Sequence, residues 1–126
     1  MKKVAIILIS FIYLYSIAYS QKAIMSVPAD DLVGTFVRSD GAEIELILKS
    51  PYQFYVKGLA VSFRGNMAEL DYVVYYYEDE NVMKYESEDY TLTIHVEDEN
   101  TLHVSEDGFN EMAGIGIGFT GIYTRK

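Results

Sequence analysis

The sequence predicts an all-β protein, a small antiparallel up-and-down barrel of about eight strands behind an N-terminal signal helix, with an open meander or a sandwich as the alternative. Three observations predict it. Apolar residues recur at every second position through most of the chain, the period of half-buried strands. Short clusters of Gly, Asn, Asp, Ser and Glu separate these runs, and connections that short join only antiparallel neighbours. The number of runs is even, so the last can lie antiparallel beside the first and close the sheet, removing both edges.

Taken in order, Lys2 and Lys3 precede an apolar stretch from Val4 to about Ile17, and Ala18-Tyr19-Ser20 then supplies small residues around a cleavage point. This is the layout of an export signal over residues 1–20; a membrane anchor is the other reading of the same apolar run. The chain has no cysteine, which excludes a cysteine-linked lipid anchor. A secreted or periplasmic protein with no membrane attachment after cleavage is expected. Residues 21–31, QKAIMSVPADD, show no period and contain one of two prolines, and read as a flexible leader. Residues 32–126 form the barrel domain, with strands expected at 32–38, 43–49, 52–63, 69–77, 82–85, 90–96, 101–105 and 115–124. In the third of these Phe54 and Val56 are even while Leu59, Val61 and Phe63 are odd, which predicts a β-bulge at Lys57-Gly58.

Without disulfides the domain depends on packed side chains, and half the residues are hydrophobic. The formal charge is −9; removing Lys2 and Lys3 leaves 8 basic against 19 acidic residues, a charge of −11. That sign disfavours nucleic acid and anionic membranes and favours a cationic partner.

The tetrapeptide EDEN occurs twice, at 78–81 and 97–100. Cross-strand pairs share a face, so the alternation fixes the register. A three-residue loop over Asp98-Glu99-Asn100 sets Val96 opposite Leu102 and Ile94 opposite Val104, with Asn100 in the left-handed region. The same chemistry over Asp79-Glu80-Asn81 sets Tyr77 opposite Met83 and Tyr75 opposite Tyr85. Both turns then share one rim, gathering Glu78, Asp79, Glu80, Glu97, Asp98 and Glu99. A calcium site is the sharper alternative, but the spacing of a dedicated calcium loop is missing. The acids also act as gatekeepers beside the aggregation-prone YVVYYY.

The same register places His95 beside His103 on the outer face with Glu97 one step along, a set able to hold zinc or copper. Two exposed histidines are more commonly plain surface residues, and no metal or cofactor is assigned. As a pair they repel when protonated, so this hairpin is expected to loosen below about pH 6.5. Gly116 to Gly121 matches G-x-G-x-x-G, but no helix can follow it before the chain ends, so it is not a dinucleotide site. Gly114, Gly116 and Gly118 are instead expected to form one bare face of the last strand, open to a bulky neighbour or ligand. With Tyr75, Tyr77, Tyr85 and Tyr90 they make a candidate lining for a small apolar or aromatic ligand. No nucleophile motif is present, and no catalytic residue is assigned.

Phe54 to Ala60, Asn66 to Leu70, Asn81 to Tyr85, Asp89 to Ile94, Leu102 to Val104 and Phe119 to Arg125 together resemble small exported bacterial β-barrel proteins of the calycin or lysozyme-inhibitor type. The resemblance covers roughly 70 residues and implies a fold, not a site. Cysteines that such proteins carry near the positions of Tyr90 and Ala113 are absent here. The expectation is thus a monomeric, non-enzymatic binding protein whose acidic surface docks a cationic protein such as a basic cell-wall hydrolase. A carrier with a tyrosine-lined interior and a structural envelope protein are the alternatives.

Overall fold

The computed structural model describes residues 26–114 and 116–126. The expected signal helix and residues 21–25 of the leader lie outside the described residues. Eight antiparallel strands close into a barrel in sequence order: β1 (Gly34–Arg38), β2 (Glu43–Ser50), β3 (Gln53–Val61), β4 (Met67–Tyr77), β5 (Val82–Glu86), β6 (Tyr90–Asp98), β7 (Thr101–Gly108) and β8 (Gly121–Arg125). Closure comes from β1 beside β8, with Phe36 opposite Arg125 and Arg38 opposite Tyr123.

Alternation explains the interior. Ile44 and Leu46 on β2, Phe54 and Val56 on β3, Val74 and Tyr76 on β4, and Leu92, Ile94 and Val96 on β6 are buried, and pairs such as Leu46 with Val56, Phe54 with Val74 and Met83 with Ile94 are buried on both strands. Burying such side chains stabilises the barrel by about 1.5–3 kcal/mol each before chain entropy is subtracted. The interior is therefore occupied by side chains. Leu32 and Phe36 fill one end and Phe119 and Tyr123 the other, all four fully buried.

Two arginines hold the ends. The Arg125 guanidinium lies 4.7 Å from the ring centre of Phe36 and donates to the carbonyls of Asp31, Val33 and Glu99. At the opposite end Arg38 lies 5.7 Å from the Tyr123 ring centre and donates to the carbonyls of Gly118 and Thr120 and to both Asp40 oxygens. Each arginine thus covers the aromatic residue paired with it on the neighbouring strand, a cation over a ring face whose donors also satisfy loop carbonyls. The bond to Arg38 holds the Asp40 carboxyl below its usual pKa.

Four expectations need correction. No bulge interrupts β3 at Lys57-Gly58: its register with β4 is continuous, Gly58 and Ala60 stay on the inner face, and Leu59, Val61 and Phe63 are exposed. Gly58 is small for another reason, because a Cβ there would come within 2.9 Å of the Phe119 ring and 3.2 Å of Leu70. The last strand begins at Gly121, so Gly114, Gly116 and Gly118 lie in the long β7–β8 connection and form no strand face. The described part of the leader is tied down: Ala29–Leu32 make a 3-10 turn, and Val27 and Ala29 pack against the core. Finally, the first EDEN turn has a different register, described next.

Candidate functional site

The two EDEN turns join β4 to β5 and β6 to β7, so they lie at the same end of the barrel. The Val96 N–H donates to the Asn81 carbonyl at 2.8 Å, which places the second acidic segment directly beside the first. Glu78, Asp79, Glu80, Glu97, Asp98 and Glu99 therefore share one rim, as the alternation implies.

The first turn spans four residues, not three. Tyr77 pairs with Val82, Tyr76 with Met83 and Tyr75 with Lys84. Glu78–Glu80 form a 3-10 turn, and Asn81 closes it at φ 54°, the one left-handed residue other than glycine among the described residues. Asparagine tolerates this conformation. Its side-chain oxygen accepts from the Val27 N–H at 2.9 Å and lies 3.3 Å from the Tyr76 hydroxyl, which donates to the Val27 carbonyl at 2.5 Å. Tyr76, not Tyr75 or Tyr77, faces inward. Burial, and then the nearby Glu78 charge, push its hydroxyl pKa up to about 12.

The consequence for the site is that Tyr75 and Tyr77 point outward beside the acids. They are 47% and 46% exposed, with ring centres 5.2 Å apart. Tyr52, from the β2–β3 turn, is half exposed and joins them around a groove of about 360 Å³ whose remaining wall is Tyr76, Glu78, Asp79 and Glu80. Nearby on the same outer face the Lys49 ammonium sits 5.6 Å from the Tyr55 ring centre, the geometry of a cation–π contact. Lys84, the cation opposite Tyr75, is bound to Glu86 at 3.0 Å, which raises its pKa.

The second turn is different. Val96 pairs with Leu102, Ile94 with Val104 and His95 with His103, all as the sequence implies, but Asp98 pairs with Thr101 and the register shifts between Val96 and Asp98. Asn100 is not left-handed; its N–H is capped by the Asp98 carboxylate at 2.8 Å. The Glu99 carbonyl is held by Arg125, and the Glu97 carboxylate lies 2.8 Å from His103 Nε2. His95, His103 and Glu97 do not make a metal centre: among the described residues no group of three or more His, Cys, Asp or Glu is placed to hold an ion.

The candidate ligand lining is split between the two ends: Tyr75 and Tyr77 meet on the outer face beside the rim, and Tyr85 and Tyr90 come together at the opposite end of the barrel. Their ring centres are 6.4 Å apart, and Tyr72 lies 4.2 Å from Tyr85 and 5.7 Å from Tyr90. Gly114 is bonded to Met67 and Gly118 accepts from Arg38, so neither is part of this cluster, and Gly116, at φ 76°, serves a turn. Sequence reasoning missed Tyr52, which occupies a turn. It also missed Glu106, which accepts from the Tyr90 hydroxyl at 2.6 Å and from the N–H groups of Phe119 and Thr120. An acid two residues past the last inward valine of β7 is the one signal that marked it.

The fold and rim thus define a small closed antiparallel barrel with an acidic, tyrosine-flanked end. Compared with protein-family models, curated proteins and solved structures, the chain matches none.

Proposed function

We propose that this chain is an exported, non-enzymatic binding protein whose acidic rim docks a cationic protein, with a basic cell-wall hydrolase as the partner class. One observation carries the reading: three exposed tyrosines, Tyr52, Tyr75 and Tyr77, line one groove with Glu78, Asp79 and Glu80. Exposed tyrosine beside carboxylate suits lysine and arginine, since the ring face attracts the cation, the carboxylate pairs with it, and tyrosine is enriched among residues that dominate interface energies. The whole-chain charge of −9, or −11 without Lys2 and Lys3, adds long-range attraction for such a partner. Export and the calycin-like relationship remain part of this proposal, supported by the layout of residues 1–20 and by the eight-stranded closed barrel.

The carrier reading has less support. Its interior is filled by side chains, and two of its four tyrosines, Tyr75 and Tyr77, lie outside the barrel.

Titration of the protein with a lysozyme-type basic hydrolase at increasing salt tests the proposal. The complex is expected to weaken at least tenfold between 50 mM and 500 mM salt, because rim charges are screened over about 10 Å at 0.1 M. Equal affinity at 1 M salt, or no complex at low salt, overturns it.

A further inference from the structure

Strands β4 and β5 are paired only at Tyr75, Tyr76 and Tyr77, and beyond Tyr75 they separate. Upper β4 is instead paired by the β7–β8 connection, with Ala68 bridged to Ala113 and Glu69 N–H bonded to the Met112 carbonyl. Between the splayed strands a cavity of about 320 Å³ remains, walled by Tyr72, Tyr85 and Tyr90 on the barrel side and by Phe109 and Met112 from the connection. That volume falls at the small end of ligand sites.

The tyrosines are fixed in place. Tyr72 donates to the Asn110 side-chain oxygen at 3.0 Å, and Tyr90 donates to Glu106 at 2.6 Å. Asn110 is itself buried and tied to the Glu69 carbonyl and the Met112 N–H. Among the described residues the Tyr85 hydroxyl has no protein partner, while its ring stacks on Tyr72. Gly108 permits the arrangement: at φ 90°, any Cβ would stand 2.1 Å from the Asp89 carbonyl oxygen.

The remaining wall is acidic. Glu88, Asp89 and Glu111 line the cavity beside Ser87, and among the described residues no lysine, arginine or histidine does. Burial first, and then its titrating neighbours Tyr85, Glu111 and Glu106, push the Tyr72 hydroxyl pKa up, so Tyr72 stays neutral beside these acids. Anionic ligands are therefore disfavoured, and ring faces with surrounding carboxylates match an organic cation.

We infer that this second mouth binds a small organic cation, an alkylammonium or quaternary ammonium group, against Tyr72, Tyr85 and Tyr90. The site is separate from the acidic rim, which lies at the other end of the barrel.

The test uses the full chain, ¹⁵N-labelled, titrated with choline and with its neutral isostere 3,3-dimethyl-1-butanol while amide shifts are followed. Choline is expected to give saturable shifts at residues 85–90 and 109–112 and none at 78–81, and the isostere to bind at least tenfold more weakly, the measure of a desolvated cation–π contact. Tyr85→Leu should abolish binding, and Glu111→Gln, an exposed change that leaves the packing intact, should weaken it severalfold. No saturable shift overturns the inference. So does equal affinity for the isostere, a Glu111→Gln protein with unchanged spectrum and unchanged binding, or shifts confined to Tyr52, Tyr75 and Tyr77. Because the two ends report through different amides, failure here is distinguishable from failure of the rim.

Discussion

The two EDEN turns have the same four letters, lie side by side at one end of the barrel, and fold differently. The first is a four-residue loop with a 3-10 turn and a left-handed Asn81. The second is a two-residue turn over Glu99-Asn100, reached through an irregularity at Glu97, with no left-handed residue. The cause lies outside the tetrapeptide. Between the last inward residue of β4 and the first of β5, Tyr76 and Met83, there are six residues; between Val96 and Leu102 there are five. Paired strands consume loop-flanking residues two at a time, so an even interval closes as a regular four-residue loop and an odd one must carry a bulge. Core spacing sets the turn, and the turn decides which acids sit beside exposed tyrosines.

The largest expected contrast is at the asparagines. Asn81→Val puts a β-branched residue into the left-handed region and removes the acceptor for the Val27 N–H, costing about 2–3 kcal/mol in urea unfolding, whereas Asn100→Val costs less than about 1 kcal/mol. Equal losses would remove the distinction between the turns. Next, Arg125→Ala takes its donors from Glu99, Asp31 and Val33 and its charge from the Phe36 face, for about 2 kcal/mol. Hydrogen exchange should accelerate at the second turn and the N-terminal 3-10 turn while the first turn keeps its protection; uniform acceleration counts against separate anchoring.

Alkaline pH should open the first turn before the second. Tyr76, beneath the first turn, has a folded-state pKa raised to about 12, against about 10 in an unfolded chain. Its neutral form is favoured by folding, so this stability is fully present below pH 10 and is lost as pH rises from about 10 toward 12. Tyr72, Tyr90 and Tyr123 are shifted the same way, chiefly by burial. Absorbance titration should show a late group of tyrosines ionising together with unfolding; one step near pH 10 with the fold intact contradicts the burial pattern. The smallest contrast is between equivalent acids. Asp98 caps the Asn100 N–H, so Asp98→Ala should cost about 0.5–1 kcal/mol, and Asp79→Ala, which removes no side-chain hydrogen bond, less than about 0.5 kcal/mol.

The barrel was legible where the alternation is clean. On β6 and β7 only one face is apolar, and the pairs Ile94 with Val104 and Val96 with Leu102 follow directly. It was not legible in YVVYYY, where both faces are apolar and period two cannot choose between Tyr75 and Tyr76 for the core. The same ambiguity on β3, where Leu59 and Val61 are exposed apolar residues, gave a bulge that is not there. The glycines at 114, 116 and 118 mimic one strand face because their spacing is two, yet they serve a connection that lays Phe119 over Gly58. Arg38 and Arg125 gave no local signal, since their roles arise only when β1 and β8 close the sheet. The acidic rim was readable from topology alone, but not the tyrosines that flank it, because their direction depends on the loop length.

The most direct test of the rim as a docking surface uses that difference, by neutralising each turn separately and measuring affinity for a basic hydrolase at fixed low salt. The triple change Glu78→Gln, Asp79→Asn, Glu80→Gln is expected to weaken binding at least tenfold, because these acids share a groove with Tyr52, Tyr75 and Tyr77. The matching change at Glu97, Asp98 and Glu99 is expected to weaken it less than threefold, the effect of general charge alone. Equal losses from the two triples, or no loss from the first, would contradict the account.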